Sequence, residues 1–239
     1  MGPSGPPCAL GWRCLVVLDD LPTSLGRRSS LPEARAHAII SCAGLPPSQG
    51  VQEYWLMSPR SSILSSLHLH RATPEMCGDA TGAVIVIDVL RAFTTAAFAF
   101  DAGAKDITLV AEIETAFALR EEHPDWLIKG EERGLPVDGF DFDNSPSGFV
   151  GRDLTGRDLV QRTSSGTQGV VRSRRADHLL ASSLCCARGT FDQLAGLEPE
   201  RVTMVITGSH PEGLGDEDLA CADYLEGLLR EEPVDLGRS

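Results

Sequence analysis

A carboxylate, a guanidinium and two hydroxyls interrupt the most hydrophobic stretch of this chain, AVIVIDVLRAFTTAAFAF, where they stand as Asp88, Arg91, Thr94 and Thr95. An acid at the end of a buried strand can ligate a metal or act as a nucleophile. It can equally cap the helix that follows. Arg91 falls in a first helical turn, where the helix dipole disfavours a cation. A bound anion would remove that conflict, because an arginine beside a helix N-terminus makes a good oxyanion site. A guanidinium reaching out to solvent is the plainer reading.

Three further segments carry the same residue types. GEERGLPVDGFDFDNSPSG, residues 130–148, offers Glu131 or Glu132 as a metal ligand, Arg133 as an oxyanion binder and Asn144 with Ser145 as hydrogen-bond donors. Its competing reading is a solvated loop with an Asn-Ser-Pro turn. QRTSSGTQG, residues 161–169, brings Thr163, Ser164, Gly166 and Thr167 between a strand and a helix. Backbone N–H groups and hydroxyls in such a loop can surround a phosphate. The Gly-Lys-Ser/Thr ending of a Walker A loop is absent, and a plain Ser/Thr/Gly linker has the same composition. GDEDLACADYL, residues 215–225, stacks Asp216, Glu217 and Asp218 before a helix, a common first-turn pattern when taken alone. One chemistry is set aside: residue 90 is Leu, so the second acid of the Asp-x-Asp pair used by aspartyl-phosphate phosphatases is missing.

The elements that must position these groups follow a strand–helix rhythm. Apolar runs predict strands at 83–88, 106–111, 126–130, 158–162, 178–182 and 201–208. Helices are expected at 91–102, 112–123, a short one from about 166, 185–195 and 216–232, the last with Cys221, Tyr224, Leu225 and Leu228 as its apolar stripe. The alternation predicts an α/β fold, a mainly parallel or mixed sheet with helices on both faces in three layers. Ligands of such sheets bind beyond the carboxyl ends of the strands. Asp88 follows the first of these strands, Glu131 to Arg133 the third, Arg162 to Thr167 the fourth and Ser209 to Asp218 the sixth, so four segments are expected to converge.

Residues 1–80 lack this rhythm and hold nine of the fifteen prolines. They are read as a poorly ordered extension, with an edge strand at most near residue 82, ahead of a domain over 81–239. His68 and His70 alternate with leucines, which suits an exposed strand or loop better than a metal site. The net charge of -13 argues against a nucleic-acid partner, but not against an anionic small molecule bound by local arginines. The first 80 residues carry six acids and six arginines, so the whole acidic excess lies beyond them. Seven cysteines without a CxxC pair read as reduced thiols of a cytoplasmic protein. No apolar run reaches the ~18 residues that span a bilayer, and the N-terminus lacks the basic start of a signal peptide.

Taken together, VIVIDVLRAFTTAA, GEERG with GFDFDNSP, VQRTSSGTQG and DEDLACADYL resemble the four signature segments of the 2-phosphosulfolactate phosphatase family, in the family's order. The resemblance covers roughly residues 82–230. It implies an α/β enzyme that uses Mg²⁺ to hydrolyse a small anionic phosphate monoester. The family's best-known reaction turns 2-phospho-3-sulfolactate and water into 3-sulfolactate and phosphate, in coenzyme M synthesis. By motif position the resemblance makes Asp88, Glu131, Glu217 and Asp218 the acids that hold metal or activate water, with Glu131 and Glu132 both open for one place. It makes Arg91, Arg133, Thr163, Ser164, Gly166 and Thr167 the oxyanion binders. Two departures stand out: a lead-in of 80 residues, and an end at Ser239 where the family continues. They raise a second reading, a phosphate-metabolite binding module or an inactive shortened relic. They also lead us to expect an open sheet edge that favours self-association into a homo-oligomer.

Overall fold

The computed structural model describes residues 12–17, 36–41, 67–208 and 215–230. Among these described residues, nine strands form one sheet: β1 (Trp12–Val17), β2 (Ala36–Ser41), β3 (His68–Ala72), β4 (Ala83–Ile87), β5 (Asp106–Leu109), β6 (Leu127–Gly130), β7 (Asp158–Arg162), β8 (His178–Ser182) and β9 (Arg201–Ile206). Five helices connect and cover them: α1 (Ala92–Asp101), α2 (Ile113–Glu122), α3 (Gly166–Arg172), α4 (Ala187–Leu197) and α5 (Asp216–Arg230). Every strand and helix expected beyond residue 80 is present. The strand order is β3-β9-β4-β8-β2-β1-β5-β7-β6. All neighbours are parallel except β1 and β2. The sheet is therefore mixed: two parallel blocks joined through one antiparallel pair.

That pair corrects the expectation for the first 80 residues. β1 and β2 lie in the middle of the sheet, β2 beside β8 and β1 beside β5. Only β3, nearest residue 82, takes the edge position foreseen for this region, where it pairs with β9. Proline and serine in the surrounding sequence dominate its composition, but strand pairing is decided by short apolar segments such as WRCLVV and AHAIIS finding partners far along the chain. The remaining residues before 67 lie outside the described residues.

Side chains leave each strand on alternate faces, and three apolar clusters result. Val84 and Val86 of β4 join Ile107, Leu109 and Leu159 from the other block, together with Phe93, Ala96 and Phe100 of α1 and Val170 of α3. Ile85 and Ile87 face the opposite way, onto Leu194 of α4 and Cys221, Leu225 and Leu229 of α5. Val110, Ile128 and Val160 pack under Ala116 and Leu119 of α2. The helices thus cover both faces. Seven of the ten residues of α1 are buried, which explains its alanine content: a helix enclosed by both blocks has room for little else. It stops where expected, at Gly103, whose φ of 101° is open to glycine. A Cβ there would lie 2.9 Å from the Thr155 hydroxyl.

Candidate active site

Asp88 directly follows β4 and is 5% exposed. Its Oδ1 accepts the Ala92 N–H of the first turn of α1 at 2.9 Å, and the Gly166 N–H of α3 also donates to the carboxylate. The helix-cap reading of Asp88 is therefore realised. Burial is the main cause that pushes its pKa up to about 7, helped by the charges of Asp218 and Glu131 and opposed by the two N–H donors. Gly166 is required by this contact. A Cβ at that position would meet Asp88 Oδ2 at 2.6 Å and the Ala92 Cβ at 2.8 Å. Arg91 directly precedes α1, and its carbonyl accepts the Thr95 N–H at 2.9 Å. Its half-exposed guanidinium has no hydrogen-bond or ion-pair partner among the described residues.

The loops after β6 and β7 are tied together by Glu131, which is 7% exposed. Its Oε1 accepts the Ser164 N–H at 2.6 Å, and its Oε2 accepts the Gly134 N–H at 2.5 Å and the Ser164 hydroxyl at 3.2 Å. Glu132 points outward, 3.8 Å from the Arg162 guanidinium. The ambiguity of the doubled glutamate is thereby resolved in favour of Glu131 as the inward residue. Arg162 donates to the Glu131 carbonyl at 3.0 Å and to Ala111 O at 3.1 Å. Thr163 and Thr167 are buried and bonded to each other: their hydroxyls lie 2.9 Å apart, and each backbone N–H donates to the other's hydroxyl. They brace the loop that presents Gly166.

Asp218, 2% exposed in the first turn of α5, clamps the ends of β4 and β9. Its Oδ1 accepts the Val89 N–H at 2.7 Å; its Oδ2 accepts the Gly208 N–H at 2.9 Å and the Thr207 hydroxyl at 3.2 Å. Burial raises its pKa against these donors. Positions 209–214 between β9 and α5 lie outside the described residues.

Four segments therefore do converge on Asp88, but not every residue named from the sequence turns inward. Arg133 is exposed; only its backbone N–H reaches the cluster, donating to Ser164 Oγ at 2.7 Å, and its φ of 51° is left-handed. It lines an open depression of about 500 Å³ with Glu132, Leu135 and Pro136. Glu217 is half-exposed and contributes only its charge to Asp218. Ser145 bonds Ser147, hydroxyl to hydroxyl, at 3.1 Å. The quartet Asp88, Glu131, Glu217 and Asp218 does not assemble: among the described residues no three His, Cys, Asp or Glu side chains are grouped to hold one ion. Mg²⁺ commonly takes one or two protein carboxylates and completes its shell with water and phosphate oxygens. Asp88 fits that role, being a buried carboxylate at the strand end with no cation paired to it.

Lys129 is the residue that motif reading missed. It is 0% exposed on β6, and burial pushes its pKa down to about 7 against the charges of Asp88 and Asp143. Its Nζ has no hydrogen-bond partner, and the same holds for Asn144 Oδ1 and Gln161 Oε1. Gln161 is its register partner on β7 and donates to Ala92 O at 3.4 Å. Asn144, expected to donate to ligand, is instead 4% exposed, and its backbone carbonyl accepts the Thr95 hydroxyl at 3.3 Å. A signal was present in the sequence: the chain holds 19 arginines and two lysines, one of them inside the apolar strand WLIKG.

Comparison with known proteins matches residues 68–237 to the family model described as 2-phosphosulpholactate phosphatase. A protein of Bacillus subtilis named "Probable 2-phosphosulfolactate phosphatase" is 41% identical over 145 residues, which is 61% of this chain and 63% of that protein. Proteins of the same printed name from Carboxydothermus hydrogenoformans and Thermus thermophilus are 37% and 35% identical, over 63% and 71% of this chain and 61% and 69% of their own. The chain thus spans about six tenths of the length of the Bacillus and Carboxydothermus relatives. With that match over most of its length, this chain belongs to the 2-phosphosulpholactate phosphatase family.

Proposed function

We propose that the protein is a phosphoric monoester hydrolase, cleaving a small anionic ester of the 2-phosphosulfolactate type to the free hydroxy acid and phosphate. The observation that carries this reading is Asp88, a carboxylate buried at a strand end, held near neutrality by its surroundings and met by N–H groups from α1 and α3. A carboxylate in that place can hold a hard cation or orient the attacking water. The unpaired Arg91 guanidinium at the rim is placed to bind phosphoryl oxygens. Ser164 and Glu131 fix the loop opposite, and Gly166 lets α3 close onto Asp88. Mg²⁺, when bound, would be held by Asp88 and would neutralise charge on the phosphoryl oxygens. The net charge of -13 favours a small ester over nucleic acid as partner. No helix of the described residues is long and apolar enough to cross a membrane, which accords with a cytoplasmic location.

The test is a turnover assay over a panel of small phosphate esters, with Mg²⁺ and with EDTA. Hydrolysis of a phosphorylated 2-hydroxy acid is expected, with loss of activity in EDTA. Asp88→Asn should unfold at nearly the wild-type temperature and lose most of its kcat together with its metal dependence, because an amide is a far poorer ligand for a hard cation. Full activity in Asp88→Asn would reduce Asp88 to a helix cap. Phosphate binding without turnover of any ester would favour a metabolite-binding module.

A further inference from the structure

Among the described residues five buried side-chain polar atoms lack partners, and three of them belong to one neighbourhood of β6, β7 and the loop after Asp143: the Lys129 ammonium, Asn144 Oδ1 and Gln161 Oε1. Buried polar groups are almost always hydrogen-bonded, and an unpaired buried ammonium is among the most costly exceptions. No acid stands within ion-pair distance of Lys129, although the charges of Asp88 and Asp143 reach it. Below it lies the Phe149 ring, its centroid 5.8 Å from Nζ. An ammonium carries three N–H donors and no acceptor. Two orphaned amide oxygens stand on elements beside it and can take two of them, Gln161 as its register partner on β7 and Asn144 directly after Asp143, whose charge reaches Lys129. One donor is left, and the start of α1 lies on the same side: Gln161 donates to Ala92 O, and the charge of Asp88 reaches Lys129.

We propose that Lys129 is the innermost contact of the bound oxyanion, donating its third N–H to a phosphoryl oxygen held at Asp88 while Asn144 and Gln161 take the other two. The proposal rests on the phosphatase reading above and adds a ligand-touching residue that the motifs do not mark. It explains why a lysine stands in a fully buried strand position of a chain that otherwise uses arginine: a guanidinium is larger and needs five acceptors. It also explains why Gln161 and Asn144 are buried with their oxygens unmatched, since they orient the ammonium.

The chain's two lysines make the test direct. With lysine labelled at ¹³Cε, the spectrum has two signals, one from Lys129 and one from Lys105, which is 62% exposed and paired to Asp106 and Asp158 at 3.3 Å each. Inorganic phosphate should move the Lys129 signal saturably and leave the Lys105 signal in place. In calorimetry, Lys129→Met should bind phosphate at least tenfold more weakly, while Lys105→Met binds as wild type. If wild type binds phosphate with the Lys129 signal unmoved, or if Lys129→Met binds within twofold of wild type, the inference is wrong and the phosphatase reading survives. If wild type neither binds phosphate nor hydrolyses any ester, both fall. The spectrum of the wild-type chain decides the matter even where the substituted protein fails to fold.

Discussion

Asp88 and Lys129 are buried ionisable groups driven from opposite sides to a pKa of about 7. Each has a consequence for stability, with opposite sign. The folded pKa of Asp88 is raised from 3.8, so its contribution is full below that value and is lost as pH rises through about 7. That of Lys129 is lowered from 10.5, so its contribution is full above that value and is lost as pH falls through about 7. Together they favour a dip in stability near neutrality. Denaturant unfolding should give a gain of roughly 2 kcal/mol between pH 7 and about 9, at 1.36 kcal/mol for each unit of differential protonation. Lys129→Met should flatten that rise, and Asp88→Asn should flatten the fall on the acid side. A rise above neutrality that persists in Lys129→Met would assign it to another group.

At the scale of elements, the site is made by short braces between loops rather than by any one helix. Glu131 stitches the β6 loop to the β7 loop through Ser164, Thr163 and Thr167 lock the entry to α3, and Asp218 joins the ends of β4 and β9. The packing of α3 against β4 is close enough that only glycine fits at positions 166 and 169: a Cβ at 169 would lie 2.7 Å from Val86. Gly166→Ala should therefore push α3 away from Asp88. Overpacking of this kind costs about 1–3 kcal/mol, and displacement of the Gly166 N–H should remove most activity as well. A variant with wild-type midpoint and turnover would mean that α3 adjusts freely and is no part of the site.

For the molecule as a whole, the decisive feature is the β1–β2 pair at the centre of the sheet. It joins β8 on one side to β5 on the other, and so connects the block that carries Asp88 to the block that carries Lys129 and Glu131. Removing residues 1–66 would expose the facing edges of β8 and β5 and break the continuity between blocks. Unpaired central edges invite association, so the shortened chain should aggregate, or sediment as large species, and should not show the thermal shift by phosphate expected of the full chain. A soluble monomer that still responds to phosphate would show that the two halves hold together through α1 and its core alone.

The strands and helices beyond residue 80 were legible because each is written locally. AVIVI, HLLAS and RVTMVI are apolar runs of strand length, and the stripe of Cys221, Leu225 and Leu228 turns inward on α5 as its spacing requires. The rule that ligands gather at strand ends is enough to bring the segments of Asp88, Glu131, Gly166 and Asp218 to one edge of the sheet. What the sequence left open were matters of which neighbour a residue meets. Glu131 and Glu132 are identical in type and adjacent, and only the fold turns one to Ser164 and the other to solvent. Arg133 reads like Arg91, yet its left-handed backbone sends its side chain outward. Lys129 carries no motif, and its isolation depends on the neighbours supplied by β7 and the loop after Asp143. The central place of β1 and β2 was hidden for the same reason: local composition governs local conformation, whereas their outer partners β5 and β8 lie far along the chain, Leu15 opposite Ile107 and Ala38 opposite Leu179.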